Sequence, residues 1–239
     1  MRVGAHTELS PVAATHARTV LRLRAGAAIT LFDGQGAEFD AVITHVDRGR
    51  LRVTITGCTV IDRESGLQLT LVQGLIKGQK MDWIVQKATE LGVTAIRPVV
   101  CERSVVRLPP TRLAGKSKHW RGIAIAACEQ CGRNRLPVIH EPTGLDDAVP
   151  VGDSAGRCWL MHPAARHPCP DRTVSSGVRT VLYCGPEGGF TDDEVAKLRD
   201  RGALTLVLGP RILRSDTAAI AGIVLLQQQF GDIDSPAAC

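Results

Sequence analysis

Aromatic residues are scarce in this chain of 239 residues, where four Phe, three Trp and one Tyr make up 3% of the sequence. We therefore expect the core to consist mainly of Val, Leu, Ile and Ala, in line with a hydrophobic content of 44%. Long apolar runs are lacking as well, since the longest, residues 218–226, is much shorter than the roughly 20 residues of a membrane span. Residues 1–10 are polar and show no apolar segment of a secretory signal. These absences predict a cytoplasmic protein that does not associate with a membrane.

A second Cys-x-x-Cys motif is also absent. The eight cysteines are scattered, which fits free thiols in a reducing compartment better than a disulfide framework. Cys128 and Cys131 form the single Cys-x-x-Cys, whereas a structural zinc site takes about four ligands. Further candidate ligands lie at irregular spacing: Cys158, His162, His167 and Cys169. We predict no metal site, and we expect the two histidines of the Pro-rich loop to be solvated rather than catalytic.

The net charge of +5 and the sequence pI of 8.9 are modestly basic. Such a charge suits a polyanion as partner but does not require one, because many basic proteins bind no nucleic acid. The motifs must therefore decide the function.

Short strands separated by turns are predicted in the first quarter of the chain, at residues 28–32, 39–46 and 51–60. Residues 63–66 have the composition of a linker. This pattern predicts a small antiparallel β domain over residues 1–66.

From residue 67 onwards, predicted strands alternate with predicted helices. The strands are expected at residues 69–76, 93–100, 158–161, 178–184 and 204–208. Helices are expected to begin near Met81, Lys118, Thr191 and Ser215, and the third begins with a Thr191–Glu194 capping box. Alternation of this kind predicts an α/β domain over residues 67–239, with a mainly parallel sheet covered on both faces.

Two glycine-containing segments each join a predicted strand to a predicted helix. The first reads Cys-Gly-Pro-Glu-Gly-Gly-Phe over residues 184–190, and the second reads Leu-Gly-Pro-Arg-Ile-Leu-Arg-Ser-Asp-Thr-Ala over residues 208–218. Ligands bind at the carboxyl ends of parallel strands, and neighbouring strands would place the two segments side by side. Neither segment is the dinucleotide fingerprint or a phosphate-binding loop with its lysine. A tight turn and a capped helix are the alternative interpretations.

Together the two segments resemble the RsmE family of the SPOUT methyltransferases. The blocks Lys-Gly-Gln-Lys-Met-Asp-Trp at residues 77–83 and Glu-Gln-Cys-Gly-Arg at residues 129–133 agree with it. The last motif carries Ser215-Asp216 where the family more often has Thr-Glu, and we expect activity to survive that change. The resemblance implies a C-terminal trefoil knot preceded by a PUA-like β-barrel that binds RNA.

The resemblance further implies S-adenosylmethionine as methyl donor and N3 of a uridine in 16S ribosomal RNA, near the decoding centre, as acceptor. The donor is a sulfonium and needs no metal, whereas N3 attacks only as its proton leaves. Arg214 is the first candidate to stabilise the developing charge and Lys87 the second. Glu187 or Asp216 could accept the proton. Donor contacts are assigned to Gly185, Pro186, Glu187, Gly188, Gly189, Leu208, Gly209, Ile212, Leu213, Thr217 and Ala218.

Three further arginines are candidates for contact with the RNA substrate: Arg22, Arg103 and Arg133. For Arg133 a structural role is the alternative. The predicted last helix is apolar on all sides, so it must be buried in the knot or in the interface of a homodimer. The competing functions are a non-catalytic RNA-binding module with a degenerate methyltransferase fold, and a nucleotide-binding oxidoreductase or ATPase.

Overall fold

A computed structural model describes residues 1–47, 50–106, 110–148, 156–163 and 179–233, without the side chains of residues 110–114. The chain divides into two compact units, Met1–Arg63 and Glu64–Cys239. This division falls at the start of the predicted linker. His167 and Cys169 lie outside the described residues.

The first unit is a mainly antiparallel β structure. Its elements are β1 (His6–Glu8), α1 (Pro11–Thr15), a π-helical turn (His16–Val20), β2 (Ala28–Phe32), β3 (Ala37–Val46), β4 (Leu51–Ile55) and β5 (Thr59–Val60). Among the described residues the strand order is β1-β4-β3-β2, and β5 pairs with β3. Phe39, Ala41 and Ile43 are buried along β3, as are Leu51 and Val53 on β4, which is the alternation expected of strands with one buried face.

The prediction of one strand over residues 51–60 was wrong, because the structure has two strands there. The backbone N–H groups of Thr56 and Gly57 both donate to the carbonyl of Asp40, at 2.8 and 3.3 Å. These residues interrupt the pairing with β3, so that β4 and β5 are separate strands that each pair with β3.

The second unit alternates strands with helices. Its strands are β6 (Gln68–Gly74), β7 (Ala95–Val100), β8 (Val138–Ile139), β9 (Thr143–Gly144), β10 (Arg157–Met161), β11 (Arg179–Cys184) and β12 (Leu204–Leu206). Its helices are α2 (Lys80–Glu90), α3 (Pro110–Cys131), α4 (Leu145–Ala148), α5 (Asp192–Asp200) and α6 (Ser215–Phe230). The capping box at Thr191 and Glu194 is present, as predicted.

The strands of the second unit form a parallel sheet, which confirms the prediction of an α/β domain with a mainly parallel sheet. In the part of the chain that the structure describes, the order is β12-β10-β11-β6-β7-β8, with β9 beside β7. Side chains alternate between two apolar clusters, so that Leu182 packs with α2, α3 and α6 while Tyr183 packs with α4 and α5. The sheet is therefore covered on both faces. No described helix is both long and apolar enough to span a membrane.

Helix α3 begins at Pro110, earlier than the predicted Lys118. Its apolar spacing becomes visible only from Ile123 onwards, so the periodicity missed the first turns. A proline at the first helical position is favourable because its missing N–H would have no partner there.

A buried ion pair links the start of the second unit to the end of α3. The Arg133 guanidinium binds the carboxylate of Glu64 through both Nε and Nη2, and its Nη1 donates to the carbonyls of Thr89 and Val93 at 2.6 and 3.2 Å. Its side chain is 6% exposed. These contacts fix the residues between α2 and β7 against the chain entering β6.

Arg133→Met is expected to lower the free energy of unfolding by about 3–5 kcal/mol, because removing one partner of a buried pair leaves the other desolvated. Lys197→Met is the control, since Lys197 and Asp146 form a pair whose side chains are 53% and 61% exposed, and its loss should change stability by less than about 1 kcal/mol. Urea denaturation followed by Trp fluorescence measures both, because all three Trp lie in the second unit. Equal losses in the two variants would contradict the structural role of Arg133.

Candidate active site

A cavity of about 480 Å³ opens at the carboxyl ends of β10, β11 and β12. Two segments form most of its wall: residues 184–190, here the first pocket loop, and residues 207–214, the second pocket loop. Ligands of parallel α/β sheets bind at this edge, outside the carboxyl ends of the strands. The cavity volume lies in the range of small-molecule binding sites.

The sequence suggested that the two pocket loops follow neighbouring strands, but they do not. Strand β10 lies between β11 and β12 and contributes Met161, His162 and Pro163 to the wall. His162 is half-buried in the cavity wall, a position that the sequence had not indicated. The sequence missed this because sheet order cannot be read from strand positions alone.

The first pocket loop is held by residues from outside it. Glu187 Oε1 accepts a hydrogen bond from the backbone N–H of Lys77 at 2.9 Å. Arg103 Nη1 donates to the carbonyls of Gly188 and Phe190 at 3.3 and 3.2 Å. The loop is thus tied to the segments that follow β6 and β7, so its backbone groups keep a fixed arrangement.

Gly189 and Gly209 have backbone angles that favour glycine, with φ of +69° and +73°. A Cβ atom built on Gly189 meets no heavy atom of a more distant described residue within 4 Å, and one on Gly209 meets only Arg211 Nη2, at 3.9 Å. Packing against the protein therefore does not explain these glycines. Their backbone borders open space in the cavity wall, where a ligand can approach closely.

The residues that the sequence assigned to donor contact come together in the cavity wall, with the exception of Thr217. Thr217 is exposed on the first turn of α6 and does not line the cavity. Ile212 lines the cavity and is 85% exposed, so its apolar side chain stands at the rim. Contact of these residues with a donor remains a prediction.

Arg214 lines the cavity directly before α6 and is exposed. Lys80, at the start of α2, lines it as well, and its Nζ lies 3.9 Å from Oδ2 of Asp216. The sequence pattern had not indicated a site role for Lys80. Lys80 could have been found from its position, because it begins the helix that follows a strand of the parallel sheet.

Three of the predicted cationic contacts lie elsewhere or are engaged within the protein. Lys87 is two helical turns beyond Lys80, pairs with Glu90 at 2.8 Å and does not line the cavity. Arg133 is buried in its ion pair, which corrects its assignment to the RNA. Arg103 lines the cavity but binds the first pocket loop through its guanidinium. Arg22 is exposed on the first unit, and its contact with RNA stays a prediction.

Two titratable groups of the wall are uncharged at neutral pH. Burial raises the pKa of the Cys184 thiol well above its ordinary value, so no thiolate is available there. Burial, followed by the positive charge of Arg199, lowers the pKa of His162 below its usual 6.5.

Clusters of His, Cys, Asp and Glu that could hold a metal ion are not found among the described residues. Cys128 is buried and its thiol lies 3.6 Å from the carbonyl of Arg135, while Cys131 is exposed.

Comparison with known proteins assigns both units. Residues 63–227 match the model of an RNA methyltransferase domain, and residues 13–56 match that of an RNA methyltransferase PUA domain. A ribosomal RNA small subunit methyltransferase E from Buchnera aphidicola is 30% identical over 89% of this chain and 84% of its own. The chain belongs to the ribosomal RNA small subunit methyltransferase E family.

Solved structures similar to this family member agree. A methyltransferase from Legionella pneumophila, solved with the bound cofactor SAM, is 38% identical with a TM-score of 0.89, covering 98% of this chain and 96% of the other. A ribosomal RNA small subunit methyltransferase E from Neisseria gonorrhoeae, bound to S-adenosyl methionine, is 35% identical with a TM-score of 0.84, covering 98% and 95%.

Arg103→Ala is expected to raise amide hydrogen exchange in residues 185–190 by about tenfold, since two carbonyls of the first pocket loop lose their donor. Arg211→Ala is the matched control, because Arg211 is an exposed arginine of the same cavity wall. Exchange measured by mass spectrometry decides the matter. If Arg103→Ala left these amides unchanged, the side chain would be free for RNA instead.

Proposed function

We propose that this enzyme transfers the methyl group of S-adenosylmethionine to N3 of a uridine in 16S ribosomal RNA, near the decoding centre of the small subunit. One observation carries the proposal: the two pocket loops of the family motif form one cavity with glycine backbone on its open side. The presence of S-adenosylmethionine in two similar solved structures supports the identity of the donor.

The residues present fit this donor. The methionyl and nucleoside parts of the molecule need hydrogen-bonding groups at close range, and the backbone at Gly189 and Gly209 leaves room for them. Apolar side chains of Phe190, Leu206 and Leu213 line the same cavity. When bound, the sulfonium supplies a methyl group that is already electrophilic.

The difficult step is deprotonation of the acceptor, because N3 of uracil is a weakly acidic imide. Arg214 lies at the cavity rim, where its guanidinium can stabilise negative charge as it develops on the uracil oxygens. We assign the departing proton to the carboxylate of Glu187, because Glu187 lines the cavity and Asp216 does not. The hydrogen bond from the Lys77 N–H holds that carboxylate in place.

A trefoil knot in the second unit, a closed β-barrel in the first and a homodimer belong to the same proposal. The knot is supported by the hydrogen bond from Ser215 Oγ to the Gly185 carbonyl at 2.5 Å, since it holds the start of α6 against the first pocket loop. The dimer is supported by α6, which is buried on one side and exposes Val224 on the other. Binding of RNA by Arg22 and a cytoplasmic location remain predictions.

A non-catalytic RNA-binding protein is the weaker alternative. Its cavity would be expected to have lost the glycines or the anchoring contacts of the first pocket loop, yet both are present. The membership of the family also argues against an oxidoreductase or an ATPase.

Nucleoside mass spectrometry of 16S ribosomal RNA tests the proposed function. Cells lacking this protein are expected to lose 3-methyluridine from their small-subunit RNA, and the wild-type gene should restore it. Unchanged 3-methyluridine in the deletion strain would overturn the proposed acceptor.

Gly189→Ala and Gly209→Ala are each expected to weaken binding of S-adenosylmethionine at least about tenfold, measured by calorimetry. Gly202→Ala is the control, because Gly202 also has a positive φ, +87°, and open space at its Cβ, but lies in the turn after α5. All three variants carry a similar conformational cost of about 1–2 kcal/mol. If the control lost affinity as well, backbone strain and not donor contact would be the cause.

Arg214→Ala is expected to lower the single-turnover rate at saturating RNA and donor by about 100-fold, with little change in donor affinity. The comparison is Arg121→Ala on the exposed side of α3, which should methylate at the wild-type rate. A near wild-type rate for Arg214→Ala would move the charge-stabilising role to another cation of the rim, with Lys80 as the first choice.

A further inference from the structure

Gln73 is a fully buried polar residue at the carboxyl end of the central strand β6. Its register partner on β11 is Cys184, so its side chain lies next to the start of the first pocket loop. It does not line the cavity, and the chemistry of methyl transfer does not use it. Its position calls for a physical explanation, because a buried amide without a task destabilises a fold.

The direction of the hydrogen bonds around Gln73 follows from chemistry. Its Nε2 lies 2.9 Å from the Gly74 carbonyl and 3.4 Å from the Gly185 carbonyl, and carbonyls only accept. The amide nitrogen must therefore face them. Ser215 Oγ lies 2.5 Å from the Gly185 carbonyl and must donate to it, so it accepts from Gln73 Nε2 at 3.1 Å. The two amide hydrogens of Gln73 are thus shared among three acceptors.

These bonds connect both walls of the cavity. Gly185 belongs to the first pocket loop, and Ser215 follows directly on the second pocket loop at the start of α6. The next residue of β6 brings the same loop close, because a Cβ atom on Gly74 would lie 2.5 Å from the backbone nitrogen of Pro186. The end of β6 is thus the point from which the spacing of the two loops is set.

We propose that Gln73 and Ser215 are positioning residues that fix the distance between the two pocket loops and thereby set the affinity for the methyl donor. This inference rests on the proposed function, since it takes S-adenosylmethionine as the occupant of the cavity. Gln73 lies behind the cavity wall, whereas Ser215 lines the cavity with its hydroxyl bonded to the Gly185 carbonyl and to Gln73 Nε2. A set of groups that is already ordered binds more tightly, because less freedom is lost on binding.

A purely structural role predicts a different choice of residue. Gln73 Oε1 is buried and has no hydrogen-bond partner among the described residues, which is unfavourable for stability. Methionine has a similar shape and would avoid that cost. We therefore attribute the glutamine to its hydrogen bonds with Gly185 and Ser215, which connect the two pocket loops.

The test measures donor affinity, apo stability and turnover in Ser215→Ala, Ser215→Thr, Gln73→Met and the double variant Gln73→Met/Ser215→Ala. Ser215→Ala and Gln73→Met are each expected to raise the Kd for S-adenosylmethionine about tenfold, which corresponds to about 1.4 kcal/mol. Ser215→Thr keeps the hydroxyl and should stay within about twofold of wild type. The double variant should lose less affinity than the product of the two single losses, because both single variants remove the bond from Gln73 Nε2 to Ser215 Oγ.

Turnover and stability separate positioning from general damage. The KM for the donor should rise while kcat at saturating donor stays within about threefold, and the thermal midpoint without donor should change little. Ser215→Val, which has the shape of threonine without its hydroxyl, should reproduce the loss of Ser215→Ala and shows the effect even if the alanine variant fails to fold.

Three results would overturn the inference: wild-type affinity in Ser215→Ala and Ser215→Val, a loss in Ser215→Thr equal to that in Ser215→Ala, or a hundredfold additive loss in the double variant. These outcomes presuppose that wild type binds the donor and methylates RNA. A wild-type protein that did neither would refute the proposed function itself.

Discussion

The fixed shape of the first pocket loop is the constraint on which the site depends. Three of its residues are glycines, which lose the most conformational freedom on folding and have no side chains to lock their own geometry. The neighbouring elements therefore hold the loop from outside. Arg103 binds its carbonyls after β7, Lys77 binds Glu187 after β6, and Ser215 binds Gly185 from α6. The ends of three elements meet at one loop of seven residues, 184–190.

In this arrangement the backbone of the loops borders the donor site, and side chains supply the positive charge. Backbone groups with room in front of them suit a small donor that must be held closely. Cations stand at the rim, with Arg214 and Lys80 lining the cavity opening. A polyanion and a developing uracil anion both call for positive charge at that place.

The arginines show how little a residue type says about its role. Arg103 and Arg133 both looked like RNA contacts, yet each guanidinium binds backbone carbonyls of its own domain. Five N–H donors in one plane suit several carbonyl and carboxylate acceptors at once, so the same group serves folding as readily as recognition.

The sequence by itself determined most of the longer strands and helices of the second unit, the parallel α/β class and the two loops of the cavity. Strand periodicity, the capping box at Thr191 and the positions of Gly189 and Gly209 are local signals, because they depend on a few neighbouring residues. Tertiary structure alone decided the sheet order that brings β10 and His162 between the loops. It also decided the burial of Arg133, and the meeting of Gln73 with Ser215 across 142 positions of the chain. Such contacts join residues far apart in the sequence, so they depend on the tertiary path of the chain and cannot be predicted from a short segment.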